Sequence, residues 1–104
     1  MKSYKYTQLE FSIHGVNLSS TDSQVLDWIL AGLKKTNFRV SAGKLASGEK
    51  YDLHIDKLRD KDLEVGWWIL KQLCLQGWEP FAARTVWRSD WYHYYHLRLE
   101  VSAK

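Results

Sequence analysis

Apolar residues return along this chain in two rhythms, every second position in some stretches and every third or fourth in others. From Tyr4 to His14 the period is two, with Leu9, Phe11 and Ile13 on one face and Tyr6, Gln8 and Glu10 on the other, which predicts a strand. The rhythm then changes. Leu26, Ile29, Leu30 and Leu33 recur at helical spacing behind Thr21-Asp22-Ser23-Gln24, a capping-box pattern that starts a helix near Asp22. Lys34 and Lys35 complement the negative end of its dipole. Phe38–Lys44 and Lys50–Asp56 read as strands joined by a loop with a turn-capable glycine. A second helix follows Asp60, with Asp62 and Glu64 in its first turn and Leu63, Gly66, Ile69, Leu70, Leu73 and Cys74 as its apolar stripe. Trp78–Arg88 and Trp91–Val101 form a hairpin across Arg88-Ser89-Asp90.

The order is therefore βαββαββ, and the chain repeats itself. A shift of forty residues superposes Val25/Val65, Trp28/Trp68, Ile29/Ile69, Leu30/Leu70 and Leu33/Leu73 as identities. Asn37 falls on Gly77, the two residue types best suited to a left-handed helix cap, and an aromatic follows each. Four residues more bring Tyr51–Ile55 onto Tyr95–Leu99. These patterns predict a single α+β domain over residues 1–104, with pseudo-repeat units at about 4–55 and 50–101. Its helices cover one face of an antiparallel sheet, as a ferredoxin-like βαββαβ core with an extra C-terminal strand.

A strand, then a helix, then Gly77-Trp78-Glu79 leading into a hairpin resembles the small bacterial family called domain of unknown function 4177, whose members end their helix in a Gly-Trp-Glu step. The resemblance covers roughly residues 50–101. Pro80 and the long aromatic strand after it depart from the family's pattern. It implies a fold, and no activity comes with it.

Composition narrows the classes. The chain has 104 residues, 45% hydrophobic and 26% charged, with one proline, which excludes a disordered polymer. Fifteen Lys and Arg against twelve Asp and Glu give a net charge of +3, but the signs are interspersed, so no basic stripe forms. A lone cysteine, Cys74, forbids an internal disulfide, and its place in the helical stripe predicts a buried, inert thiol. There is no apolar run of about eighteen residues and no signal-peptide core near the N-terminus. A cytoplasmic protein with no membrane partner is expected.

Candidate chemistry lies on two surfaces. On a helical wheel Trp28 and Trp68 fall outside the core stripes at equivalent places. Both line a seam between the helices, with Gly32 permitting close approach, or both point outward as an interface. On the last strand Leu97, Leu99 and Val101 alternate inward with Tyr95. That sends Tyr92, Tyr94, His96, Arg98 and Glu100 to the open face of the sheet, with Tyr6 and His54. An aromatic, polar-rimmed face of this kind suits a homodimer or another protein partner, and equally a plain solvated face on which tyrosines serve as good strand formers. Single-stranded nucleic acid is the runner-up, because exposed rings stack bases. A third reading is a small enzyme or ligand site around His54 and His96, flanked by Asp52 and Asp56. His93 and His96 are three apart on a strand and face opposite ways, so no metal site is expected. Nucleophile motifs, phosphate-binding glycine loops and dinucleotide fingerprints are missing, so no cofactor is expected. The expectation is a non-catalytic, homodimeric interaction domain using the open face or the Trp28/Trp68 surface.

Overall fold

The computed structural model describes residues 3–36, 38, 40–47, 50–57 and 62–101; between 40 and 57 only the side chain of Leu53 is described, and that of Asp62 is not. The elements are β1 (Ser3–Ser12), β2 (Gly15–Ser20), α1 (Ser23–Leu33), β3 (Val40–Ser47), β4 (Lys50–Lys57), α2 (Asp62–Leu75), β5 (Glu79–Trp87) and β6 (Trp91–Val101). The class is α+β. One strand escapes the periodicity. The strand expected over Tyr4–His14 runs as Ser3–Ser12, and the chain then turns back at Ile13-His14 so that Gly15–Ser20 pairs antiparallel with Thr7–Ser12. The Ser12 hydroxyl accepts from the His14 N–H at 3.0 Å, a local bond that closes the turn. In so short a strand, Val16 and Leu18 supply only two inward positions, too few for a periodic signal of their own.

The extra strand changes the topology. The sheet has six strands in the order β3-β4-β2-β1-β6-β5, and every neighbouring pair is antiparallel. This differs from the expected ferredoxin-like order with one appended strand, since a hairpin, β1–β2, holds the centre. On either side of it the pairing is the same: β2–β4–β3 on one flank, β1–β6–β5 on the other. In the first half α1 follows β2 directly. In the second, the whole of the first half intervenes between β1 and α2.

Both helices pack on one face. Leu9, Phe11, Val16, Leu18, Leu53 and Leu97 from the strands form one core with Val25, Leu26, Ile29 and Leu33 of α1 and Val65, Ile69 and Leu73 of α2. Asp22 is the N-cap of α1, and its carboxylate accepts from the Gln24 N–H at 3.0 Å. The hydroxyl of Thr21, the first residue of the capping-box pattern, accepts from the Tyr6 N–H at 3.1 Å and so ties the helix start to β1. At the end of α2, Gly77 (φ +95) lets the Trp78 N–H reach the Leu73 carbonyl at 3.0 Å and its own N–H reach that of Cys74 at 3.1 Å. These are the two bonds of a Schellman cap. Trp78 then turns inward and is buried. The Asn37 cap expected for α1 lies outside the described residues. What is described is the Thr36 hydroxyl donating to the Leu33 carbonyl at 2.7 Å.

Two close approaches set the helix positions. A Cβ on Gly66 would lie 2.2 Å from the Phe11 ring, so the sheet's phenylalanine occupies the volume a side chain on α2 would take. The second, between Gly32 of α1 and Trp68 of α2, brings the helices together. Cys74 is exposed, which corrects its assignment to the buried stripe. The buried positions of α2 are Val65, Gly66, Ile69 and Leu73. Cys74 stands two turns along from Trp67, on the flank that α2 turns away from the core.

Candidate binding face of the sheet

The face opposite the helices is built by register. Across β1 and β6, Glu10 stands beside Tyr94, Gln8 beside His96, Tyr6 beside Arg98 and Tyr4 beside Glu100. Residues directly opposite share a face, and Leu9 and Thr7, one step away on β1, are buried against the core. So Tyr6, Tyr92, Tyr94, His96 and Arg98 do come together on the uncovered side.

A further aromatic joins them that alternation does not reveal. The register of β5 slips between Pro80 and Ala82, and this bulge brings the Phe81 ring to 6.1 Å from Tyr6 and 6.2 Å from His96. Pro80, which lacks a ladder donor, is the one sequence sign of the irregularity. Tyr6 and Phe81 are each about half exposed, at 49% and 47%. Beside them the Arg98 guanidinium lies 4.7 Å from the Tyr4 ring centre and 5.5 Å from that of Phe81, while its Nε donates to Glu79 at 3.2 Å. Arg84 lies 4.7 Å over the Tyr94 ring, and Tyr94 is buried although no helix covers this face. Between Tyr6, Gln8, Ser19, Thr21, Phe81 and His96 the surface dips into a shallow concavity of about 230 Å³.

On the other half of the face the described side chains are those of β2. Asn17 and Ser19 are the β2 residues on this side, and the side chains of β3 and of this side of β4 lie outside the described residues. His54 belongs to that group. Its backbone pairs with Asn17, and the order β4-β2-β1-β6 puts three inter-strand steps of about 4.8 Å between its strand and that of His96. The two histidines cannot share one catalytic or metal centre at that separation. His93 faces the helices, 5.3 Å from the Trp67 ring, and His96 faces the other way. Among the described residues no group of three or more His, Cys, Asp or Glu is placed to hold a metal ion.

On the helix side, the Trp68 ring fills the seam between the helices. A Cβ on Gly32 would meet its Cη2 at 2.8 Å, and Phe38 meets it edge-on at 6.4 Å. Trp28, one turn before Gly32, is partly buried against the core. Trp67 behaves otherwise: its ring packs on Phe11, His93 and Tyr95 at 4.9, 5.3 and 6.0 Å, yet it stays 44% exposed. Compared with known family models, curated proteins and solved structures, the chain finds no match.

Proposed function

We propose that this protein is a small, cytoplasmic, non-catalytic interaction domain that pairs with a second copy of itself through the open face of its sheet. The observation that carries the reading is the half-exposed Tyr6–Phe81 pair, with His96 beside it and Arg98 paired to Glu79. Arg98 is held by two rings and Glu79, and Arg84 rests on Tyr94. Among the described residues Glu10, Glu79 and Glu100 exceed the two arginines on this face by one charge. A face this near neutrality repels its own copy only weakly. It does, however, offer a phosphate backbone few free cations, and that argues against single-stranded nucleic acid. Size supports the same partner. Six strands about 4.8 Å apart and about eight residues long present on the order of 750 Å², close to the roughly 800 Å² each partner gives a stable interface.

The same reading treats the chain as a duplicated βαββ unit. Its support is the matched pairing of the two halves and the matched burial of Val25 with Val65, Ile29 with Ile69 and Leu33 with Leu73. The resemblance to domain of unknown function 4177 fits such a unit and supplies no partner.

Sedimentation equilibrium over a range of concentrations tests the dimer. The expected result is a dimer whose dissociation constant rises at least about thirtyfold when Tyr6→Ser and Phe81→Ser are combined, with circular dichroism unchanged. A wild-type monomer at high micromolar concentration refutes it.

A further inference from the structure

A second apolar surface lies at one end of the molecule, on the helix side, where the open-face reading does not reach. Register places Phe11 beside His93, so the β1–β2 and β5–β6 turns leave the sheet at the same end. His14 Nε2 and Asp90 Oδ2, 2.6 Å apart, tie the two turns together. Gly66 sits over Phe11 and Gly32 beside Trp68, so the first half of α2 and the last turn of α1 reach this end too. The residues gathered here are unusually exposed for their size: Trp87 59%, Trp91 55%, Trp67 44% and Ile13 38%.

Hairpin closure does not account for this. Trp87 and Trp91 are direct cross-strand partners, edge-to-face at 5.1 Å, and such a pair stabilises the turn it flanks. That contact needs one edge of each ring and no help from another element. Trp67, on a helix, and Ile13, in the other turn, are brought to the same end by the tertiary fold. The three indoles together leave on the order of 400 Å² of ring surface in solvent, comparable to the largest apolar patch of a typical monomer, which is often a contact site.

The chemistry of this end selects its partner. Its large residues are mainly tryptophan, which prefers the boundary between headgroups and acyl chains to either phase alone. The elements that meet here carry exposed cations, Arg88 between the paired tryptophans in sequence and Lys34 and Lys35 at the end of α1, against the carboxylates of Glu64 and of Asp90, the latter already paired with His14. We infer that this end docks on a lipid bilayer carrying anionic headgroups, with Trp67, Trp87 and Trp91 entering the interface and Arg88, Lys34 and Lys35 meeting the phosphates. Among the described residues no helix is long and apolar enough to cross a membrane, so the contact is peripheral. The lack of a spanning run is the ground for expecting no membrane partner, and it does not bear on a contact of this kind.

Co-sedimentation of the full chain with phosphatidylcholine vesicles, with and without phosphatidylglycerol, tests the inference. The expected result is binding to the anionic vesicles with a blue shift of tryptophan emission. Binding should fall at least tenfold in the Trp87→Ser, Trp91→Ser double variant. Lys34→Glu with Lys35→Glu, which leaves the core untouched, should weaken it by about fivefold or more per charge, and added salt should do the same. No binding of the wild type to either vesicle overturns the inference. So does a double tryptophan variant that keeps its vesicle binding, or one that instead dissociates an oligomer, which would give this end to a second copy of the chain. The open-face dimer is tested separately, at Tyr6 and Phe81, so either reading fails without the other.

Discussion

The two halves of the sheet share a pairing plan but divide their volume and their surfaces differently. Where α1 presents Leu26, buried to 0% exposure, α2 at the matched position presents Gly66, and the missing side chain is replaced by Phe11 rising from the sheet. Inward volume is conserved, although a different element supplies it, as close packing requires. On the outer face the described residues of the two halves differ. The β1–β6–β5 half carries Tyr4, Tyr6, Phe81, Tyr92, Tyr94, His96 and two arginines, while β2 of the other half offers Asn17 and Ser19. A core constrains the residues that fill it, and an uncovered face is free to specialise. The half that departs from the common plan is therefore where binding is to be sought.

The largest expected effect breaks this comparison at the matched helix positions. Gly66→Val drives a branched side chain into the Phe11 ring and should cost about 3 kcal/mol or more in urea unfolding. Leu26→Val, at the equivalent place on α1, should cost only about 1 kcal/mol. Equal and small losses would mean that Phe11 does not fill the α2 position.

Next comes the seam. Trp68→Ala should cost about 3 kcal/mol and leave the sedimentation behaviour unchanged, because its ring packs on Gly32 and Phe38. An intact stability with a lost oligomer would instead move Trp68 to an outer surface. The smallest effects concern the helix ends. Gly77→Ala should cost about 1 kcal/mol: the added Cβ meets only Leu99 Cδ1, at 3.5 Å, so the loss comes from the positive φ of 95°. Thr36→Ala, which removes the hydroxyl bond to Leu33 at the end of α1, should cost about 1 kcal/mol as well. Thermal melts of the two variants side by side measure this.

Part of this arrangement is legible in the amino-acid pattern alone. The outward set on β6 follows from alternation, since Leu97 is buried and the strand keeps its period across the whole face. Phe81 is not legible in that way, because a bulge resets the alternation and nothing local says onto which face the extra residue turns. Cys74 is misplaced by the pattern for a related reason. A helical wheel gives the relative positions of side chains but not the angle at which the sheet meets them.

The sequence by itself determined the two helices, the Gly77 stop and the inward and outward sets of β1 and β6, because each rests on spacing or backbone chemistry within one element. Tertiary structure alone decided that Gly15–Ser20 is a strand, that β1 and β2 sit at the centre, and that His54 and His96 stand apart. It also decided that Trp67, Trp87, Trp91 and Ile13 share one exposed end. Those outcomes depend on which strands pair and where a helix lies on the sheet. They are set by the burial of the whole core rather than by any single segment.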